Sequence, residues 1–305
     1  MKVDLVFEGG GILGVSFVGA YEALMKKNYE IERCAGTSAG SIISALIIAG
    51  YTPYDLKELI KNTNFDNLAS KTKLSYIPIL GKPLSLINNK GIYNIDIIEE
   101  WIDKLLLKKG ISSFKDVMIN GKTRLKIVAA DITDRKLLIF PDDSKYYGIN
   151  PEDFSVAKAV AMSCSIPLFF TPIKFKKGDK INYIVDGGLI STYPIWIFDV
   201  EGTPRYPTLG FKIQDKLSNT SKGKNGLISY IKDLIDAAIN KEETTYLRDQ
   251  DLARTIQIDF DNKTKSTDFN ISTERLNYLY NCGFESTKNF LNKWNFIEYV
   301  KRFKL

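Results

Sequence analysis

VFEGGGILG, residues 6–14, ends a short apolar run that begins at Lys2 and leads into a helix-like segment from Leu13 to Lys27. Read through its outer glycines, Gly9-x-Gly11-x-x-Gly14 after a strand is the fingerprint of a dinucleotide-binding turn. Read through Gly9, Gly10 and Gly11 as a row, it offers successive backbone N–H groups to a developing oxyanion. The first reading predicts a nicotinamide or flavin oxidoreductase, the second an acyl hydrolase. The next strand separates them.

That strand, Ile31 to Ala35, runs into Gly36-Thr37-Ser38-Ala39-Gly40 and then an apolar helix from Ser41 to Gly50. A dinucleotide fold wants an acid at the tip of its second strand, ~20 residues past the fingerprint, to hold the ribose hydroxyls. Glu30 and Glu32 stand at the opposite end of the strand. At the tip there is instead a G-x-S-x-G in a strand-to-helix setting. A serine on such a sharp turn is pushed out of the backbone surface, and its flanking glycines relieve the crowding. The N-terminus of the following helix favours negative charge beside it. The same letters also fit a plain turn with a capping serine.

The chain of 305 residues contains no histidine. Every mechanism built on an imidazole base, a His ligand or a Ser-His-Asp relay is thereby excluded. A nucleophilic serine here needs a carboxylate, a lysine or a terminal amine as its base. Asp186-Gly187-Gly188, after a brief strand from Tyr183 to Val185, supplies a candidate. An aspartate before two glycines often only closes a turn. Held against a serine hydroxyl, it can take the proton if burial lifts its pKa from ~3.9 toward working pH.

Composition sets the remaining bounds. The chain is 44% hydrophobic and 26% charged, with 42 basic against 36 acidic residues and a formal charge of +6. The excess is spread out and suits an anionic surface; no concentrated basic stripe or motif points to nucleic acid. Cys34, Cys164 and Cys282 are widely spaced and fit buried free thiols in a reducing compartment. No cysteine pair offers zinc ligands. Asp131, Asp134, Asp142 and Asp143 fall around a hairpin and its exit and read as turn residues and solvated charges rather than a metal site. The first residues enter a strand directly, with no signal peptide, and no apolar run approaches the ~20 residues that span a bilayer. A cytoplasmic protein is expected.

Along the chain, strand-like segments (2–7, 31–35, 124–130, 136–140, 183–185, 208–213, 255–259) alternate with helix-like ones (13–27, 41–50, 53–61, 94–109, 154–163, 227–248, 273–294). The βαβα start argues a mainly parallel sheet covered by helices on both faces. Residues 64–92 read as irregular, with an apolar loop or lid at 76–81, and 218–226 as a polar linker. One domain, 1–305, is expected, its motif-bearing core at about 3–213 and an extension of helices and a strand, 214–305, packed on it.

The glycine row, the GTSAG about 25 residues on, the later DGG and the segment Ala161-Met-Ser-Cys-Ser-Ile-Pro-Leu-Phe-Phe-Thr-Pro172 together resemble the patatin-like phospholipase family. The resemblance implies a three-layer α/β/α sandwich and a lipid acyl hydrolase that works through a Ser-Asp dyad without metal or other cofactor. It makes Ser38 the nucleophile and Asp186 the base. Gly9, Gly10 and Gly11 become oxyanion-hole amides, assisted by that of Ala39. It also implies a phospholipid or other acyl-ester lipid as substrate and contact with a membrane surface. An acyltransferase or thioesterase would use the same dyad. The family commonly has a basic residue where this chain has Leu13, which makes Leu13 the position to probe for headgroup preference. Lys176-Lys177, Lys222, Lys224 and the aromatic, basic tail 294–305 read as solvated faces or, more sharply, as contacts to anionic headgroups.

Overall fold

β1 (Lys2–Phe7) is buried from Val3 onward, and a strand covered on both faces must be apolar almost throughout. Its one exception, Asp4, is 1% exposed and accepts two hydrogen bonds from the Arg33 guanidinium, at 3.0 and 2.5 Å. Burial pushes the Asp4 carboxyl above its ordinary range, against the pull of Arg33. A 3-10 turn at Gly11–Gly14 leads into α1 (Val15–Lys26), β2 (Glu30–Thr37), α2 (Ala39–Ile48) and α3 (Pro53–Asn62). α3 begins where Thr52-Pro53 predicts. Thr52 Oγ1 accepts from the Asp55 N–H at 3.1 Å, and Asp55 Oδ2 accepts from the Thr52 N–H at 3.0 Å.

The chain continues through α4 (Phe65–Leu68), α5 (Gly81–Asn89), β3 (Gly91–Tyr93) and α6 (Asp96–Leu107). Two hairpins follow, β4 (Met118–Ile119) with β5 (Lys122–Thr123) and β6 (Leu125–Asp131) with β7 (Lys136–Phe140). Then come α7 (Val156–Ser163), β8 (Leu168–Phe170), β9 (Ile173–Lys177), β10 (Lys180–Asp186) and β11 (Thr208–Gln214). α8 (Leu227–Ile239), α9 (Asp249–Leu252), β12 (Thr255–Asp259), α10 (Thr273–Leu291) and α11 (Phe296–Phe303) complete it. This computed structural model describes residues 1–68, 81–214, 227–239, 247–261, 263–266 and 268–303. The expected apolar stretch 76–80, the linker 218–226 and the helical turns expected at 240–246 lie outside the described residues.

Two compact units share the chain. The first holds residues 1–63, 193–217 and 242–305. Its strands run β12-β11-β1-β2, all parallel, with Phe7 opposite both Gly36 and Phe211. α1 packs on α3 and α10, and α10 on β12. The α1–α10 contact is backbone to backbone. A Cβ at Gly19 would stand 1.9 Å from the Tyr280 carbonyl oxygen, and one at Gly283 would stand 1.8 Å from that of Ser16.

The second unit holds residues 64–192 and 218–241. Its strands run β7-β6-β10-β9 in antiparallel pairs, with α7 on β6 and β10 and α6 on α7. The βαβ start in the first unit is parallel as the alternation implies, whereas the second unit pairs its strands antiparallel. Asp131, expected as a solvated turn charge, is 1% exposed. It accepts from the Thr133 and Asp134 amides at 2.9 and 3.0 Å, Tyr147 Oη at 2.7 Å and Asn182 Nδ2 at 2.6 Å. Burial and the Asp131 carboxylate both push the Tyr147 hydroxyl up.

Other boundaries moved for identifiable reasons. α10 ends at Leu291, though helical bonding runs on to Trp294, whose N–H donates to the Phe290 carbonyl at 3.0 Å, and Asn295 then starts α11 by accepting from the Ile297 and Glu298 amides at 2.8 and 3.2 Å. β8, three apolar residues between Pro167 and Pro172, is too short to show a period, whereas β9 does alternate over Ile173-Lys174-Phe175-Lys176, a signal the reading of its lysines as a solvated face passed over. The tail aromatics turn to one another: Trp294 lies 6.0 Å from Phe290 and 6.1 Å from Tyr299, ring to ring. Among the described residues no helix is long and apolar enough to cross a membrane.

The helix crossing makes a stability prediction with a definite sign. Alanine in place of a helical glycine gains about 1 kcal/mol in propensity, but overpacking costs about 1–3 kcal/mol or more where backbone must move. Gly19→Ala and Gly283→Ala should therefore each lower the melting temperature. A thermal denaturation in which either variant is as stable as the parent would refute the close crossing.

Candidate active site

Ser38 joins β2 to α2 with φ 52° and ψ −123°, a region that favours glycine. Holding a serine there costs about 1–3 kcal/mol and persists only where the surroundings impose it. Here they do. A Cβ on Gly36 would lie 2.3 Å from the Gly40 carbonyl carbon and oxygen, and one on Gly40 would lie 2.4 Å from the Phe7 oxygen and 2.6 Å from that of Glu8. Strand, turn and helix are pressed together so closely that only glycines fit either side of the serine. The side chain of Ser38 does not cap α2, so the capping-serine reading of the motif fails. The Ser38 carbonyl instead accepts from both the Ser41 N–H, at 2.8 Å, and Ser41 Oγ, at 2.6 Å.

The glycine row lies beside this turn. A Cβ on Gly9 would sit 3.4 Å from Ser38 Cβ, and one on Gly14 would sit 2.8 Å from Ala39 Cβ. Gly11 takes a left-handed φ of 53° that an L side chain would strain. Among the described residues nothing accepts from the N–H groups of Gly9, Gly10 and Gly11. Those of Ala39 and Gly40 are likewise without an acceptor there, as the first turn of any helix leaves its amides. The structure therefore gathers Gly9, Ser38 and Ala39 in the first unit, with unsatisfied donors that an anion can fill.

Asp186, in the second unit, ends β10 and is 2% exposed. Its Oδ1 accepts from the Gly188 N–H at 2.7 Å, and its own N–H donates to the Ser165 carbonyl at 2.9 Å. Ser165 Oγ in turn donates to the Ala161 carbonyl at 2.8 Å and Ser163 Oγ to that of Val128 at 2.6 Å. The 161–172 segment thus anchors the backbone that carries Asp186. A Cβ at Gly187 would stand 2.5 Å from the Val128 oxygen, so the first glycine of the DGG is a packing requirement of the strand end.

Leu13 is 3% exposed, its N–H bonded to the Gly10 carbonyl at 3.1 Å. It is a buried residue at the start of the helical turn that follows the glycine row. Sequence reasoning missed three neighbours of the loop: Lys212, Ile213 and Ser266. Lysine inside the otherwise apolar Leu-Gly-Phe-Lys-Ile of β11 was the available signal, since a buried lysine needs a partner.

Residues 5–199 match the Patatin family, described as patatin-like phospholipase. The Bacillus subtilis protein YqhO is 34% identical over 298 residues, which take in 97% of this chain and all of that one. The chain belongs to the patatin-like phospholipase family. A second relative of this patatin-like chain, "Probable lipid hydrolase 463L" of Invertebrate iridescent virus 6, is 31% identical over 196 residues, covering 63% of this chain and 61% of that protein. VipD from Legionella pneumophila superposes with a TM-score of 0.54 over 95% of this chain and 66% of its own, at 16% identity. The fold is accordingly the α/β/α arrangement of this family, a mixed, mostly parallel sheet flanked by helices.

The strained turn makes its own prediction. Ser38→Gly should raise stability relative to Ser38→Ala by about 1 kcal/mol or more, since both remove the hydroxyl and only glycine relieves the positive φ. Chemical denaturation of the two variants compares them, and equal midpoints would mean that the turn is unstrained.

Proposed function

We propose that this patatin-like protein is a lipid acyl hydrolase of the phospholipase A or lysophospholipase type. The observation that carries the reading is Ser38 on a strained strand-to-helix turn against a row of unsatisfied glycine amides. Ser38 Oγ attacks the ester carbonyl as Asp186 takes its proton. The carbonyl oxygen, now an oxyanion, is met by the N–H groups of Gly9, Gly10 and Gly11, with that of Ala39 as a further donor. Collapse of the tetrahedral intermediate leaves an acyl-Ser38 ester, and Asp186 returns the proton to the departing alcohol or lyso-lipid. Water, deprotonated by Asp186, then releases the fatty acid and restores the serine.

The absence of histidine supports an aspartate base, because a serine nucleophile must hand its proton to something else. The burial of Asp186 at the end of β10 supports it too, since a carboxylate shielded from water is not diluted as an acceptor by solvent. In this reading the substrate is presented at a membrane surface, where the spread positive charge of the chain favours anionic lipid. An acyltransferase or thioesterase would share every step up to the acyl-serine and differ in the final acceptor.

Ser38→Ala and Asp186→Asn should each lower hydrolysis of a nitrophenyl ester and of a phospholipid by about 10³-fold or more. The products are read by mass spectrometry across a lipid panel, with a fluorophosphonate probe to report on the serine. Undiminished turnover in either variant would remove the dyad, and an added alcohol that captures the acyl group faster than water does would move the protein to the transferases.

A further inference from the structure

The glycine row leaves β1 through Glu8, and Glu8 is tied to the end of β11 at three points. Its N–H donates to the Phe211 carbonyl at 3.0 Å. Its Oε2 accepts from the Ile213 N–H at 2.6 Å, and its Oε1 from Lys212 Nζ at 2.5 Å. Glu8 is 6% and Lys212 8% exposed, so this is an ion pair almost out of water. The pair makes no contact that β11 needs in order to pair with β1, since the register between them is carried by backbone from Asp4 to Phe7. It secures the residue immediately before Gly9.

The remaining supports point the same way. Ile213 Cδ1 fills the place a side chain at residue 10 would take, 2.3 Å from an ideal Cβ there. Past the row, the Ile12 N–H donates to the Ser266 carbonyl at 2.9 Å. The row is thus pinned before Gly9, beneath Gly10 and after Gly11, and among the described residues the three amides between find no acceptor. Lys212 Nζ lies 5.6 Å from the centre of the Tyr193 ring, whose hydroxyl is 2.8 Å from Thr255 Oγ1. Lys212, Ile213 and Ser266 all lie beyond residue 199, where the family match ends.

We propose that the Glu8–Lys212 ion pair is the positioning element of the oxyanion loop, fixing the direction of the Gly9–Gly11 amides. The inference rests on the hydrolase reading above. Neither side chain touches the reacting atoms; both act through the loop. A buried pair is costly to desolvate and is often replaceable by apolar groups with no loss of stability. Aim, rather than stability, is what a fixed carboxylate supplies here, because oxyanion donors must meet the transition state to within a fraction of an ångström.

The test compares Glu8→Gln, Glu8→Asp and the double variant Glu8→Gln/Lys212→Met, each assayed well below its melting temperature on a soluble nitrophenyl ester. Misplacement of the loop should lower kcat by about 10–100-fold while KM stays within about twofold. Affinity for a trifluoromethyl ketone, which forms a tetrahedral oxyanion on the serine, should fall in parallel with kcat. The double variant removes both charges, so its melting temperature should recover while its kcat stays low. Should Glu8→Gln fail to fold, the Glu8→Asp and double variants carry the same comparison.

Wild-type kcat in a folded Glu8 variant, or recovery of kcat together with stability in the double variant, would reduce the pair to a structural contact. Ser38→Ala is the control. If it remains active, the hydrolase reading fails; if it is inactive while the Glu8 variants are fully active, only the positioning role fails.

Discussion

Backbone packed against backbone, with no side chain between, is the constraint on which this site depends. The turn after β2 approaches the end of β1 so closely that neither Gly36 nor Gly40 has room for a Cβ. That approach forces Ser38 into its positive φ, where its side chain makes no capping hydrogen bond to α2. The same approach brings Gly9 against the serine. A larger residue at either glycine would separate the turn from the loop and release the serine to an ordinary conformation. The strain at Ser38, about 1–3 kcal/mol, is therefore inseparable from the arrangement that gives it a chemical use. Burial of β1 and α2, both apolar along nearly their whole length, stabilises what the turn costs.

What could be read from the sequence divides along a physical line. β1, β12 and α3 were legible because their signals are local: apolar runs of strand length, and a Thr-Pro start with an acid three residues past the threonine. Asp131 was misplaced because its environment is not local. The tyrosine and asparagine that bury it come from residues 147 and 182. α11 was missed, its residues read as a solvated tail, for a related reason, since Asn295 acts as a cap only when the backbone around it has already left the helix. Turn chemistry of that kind is ambiguous in a run as rich in Asn, Lys and aromatics as residues 289–299.

The site divides similarly. Ser38, Asp186 and the glycine row are carried by short motifs whose spacing the sequence prints directly. Their support is not. Glu8 meets Lys212 and Ile213 across 204 and 205 positions, and Ile12 meets Ser266 across a comparable span. No periodicity links such partners, and only the oddity of a lysine inside an apolar strand marks one of them. Leu13 is a different case. Its place in a family pattern makes it a position to probe for headgroup preference, and only the structure shows that the leucine itself is buried.

Ser38 and Asp186 are held by different means, and that difference bears on how each tolerates change. Ser38 belongs to a parallel βαβ unit, where position is fixed by steric contact between main chains and the helix N-terminus supplies a favourable field. Asp186 ends an antiparallel strand, where position is fixed by hydrogen bonds: its N–H to Ser165, its Oδ1 from Gly188, and ladder pairing with Ala129. Steric fixation fails abruptly, since a methyl group either fits or displaces the backbone. Hydrogen-bond fixation fails gradually, because a lost donor leaves the others in place at about 1 kcal/mol each. Residues around Ser38 should therefore be nearly invariant in size, while those around Asp186 need only preserve donors and acceptors. The 161–172 segment meets that second demand with backbone carbonyls and serine hydroxyls, groups that many side chains could surround. Its recognisable sequence must then be explained by something besides its hold on Asp186, and the left-handed backbone at Leu168 between two prolines, a conformation foreign to a leucine, is the constraint it carries in addition.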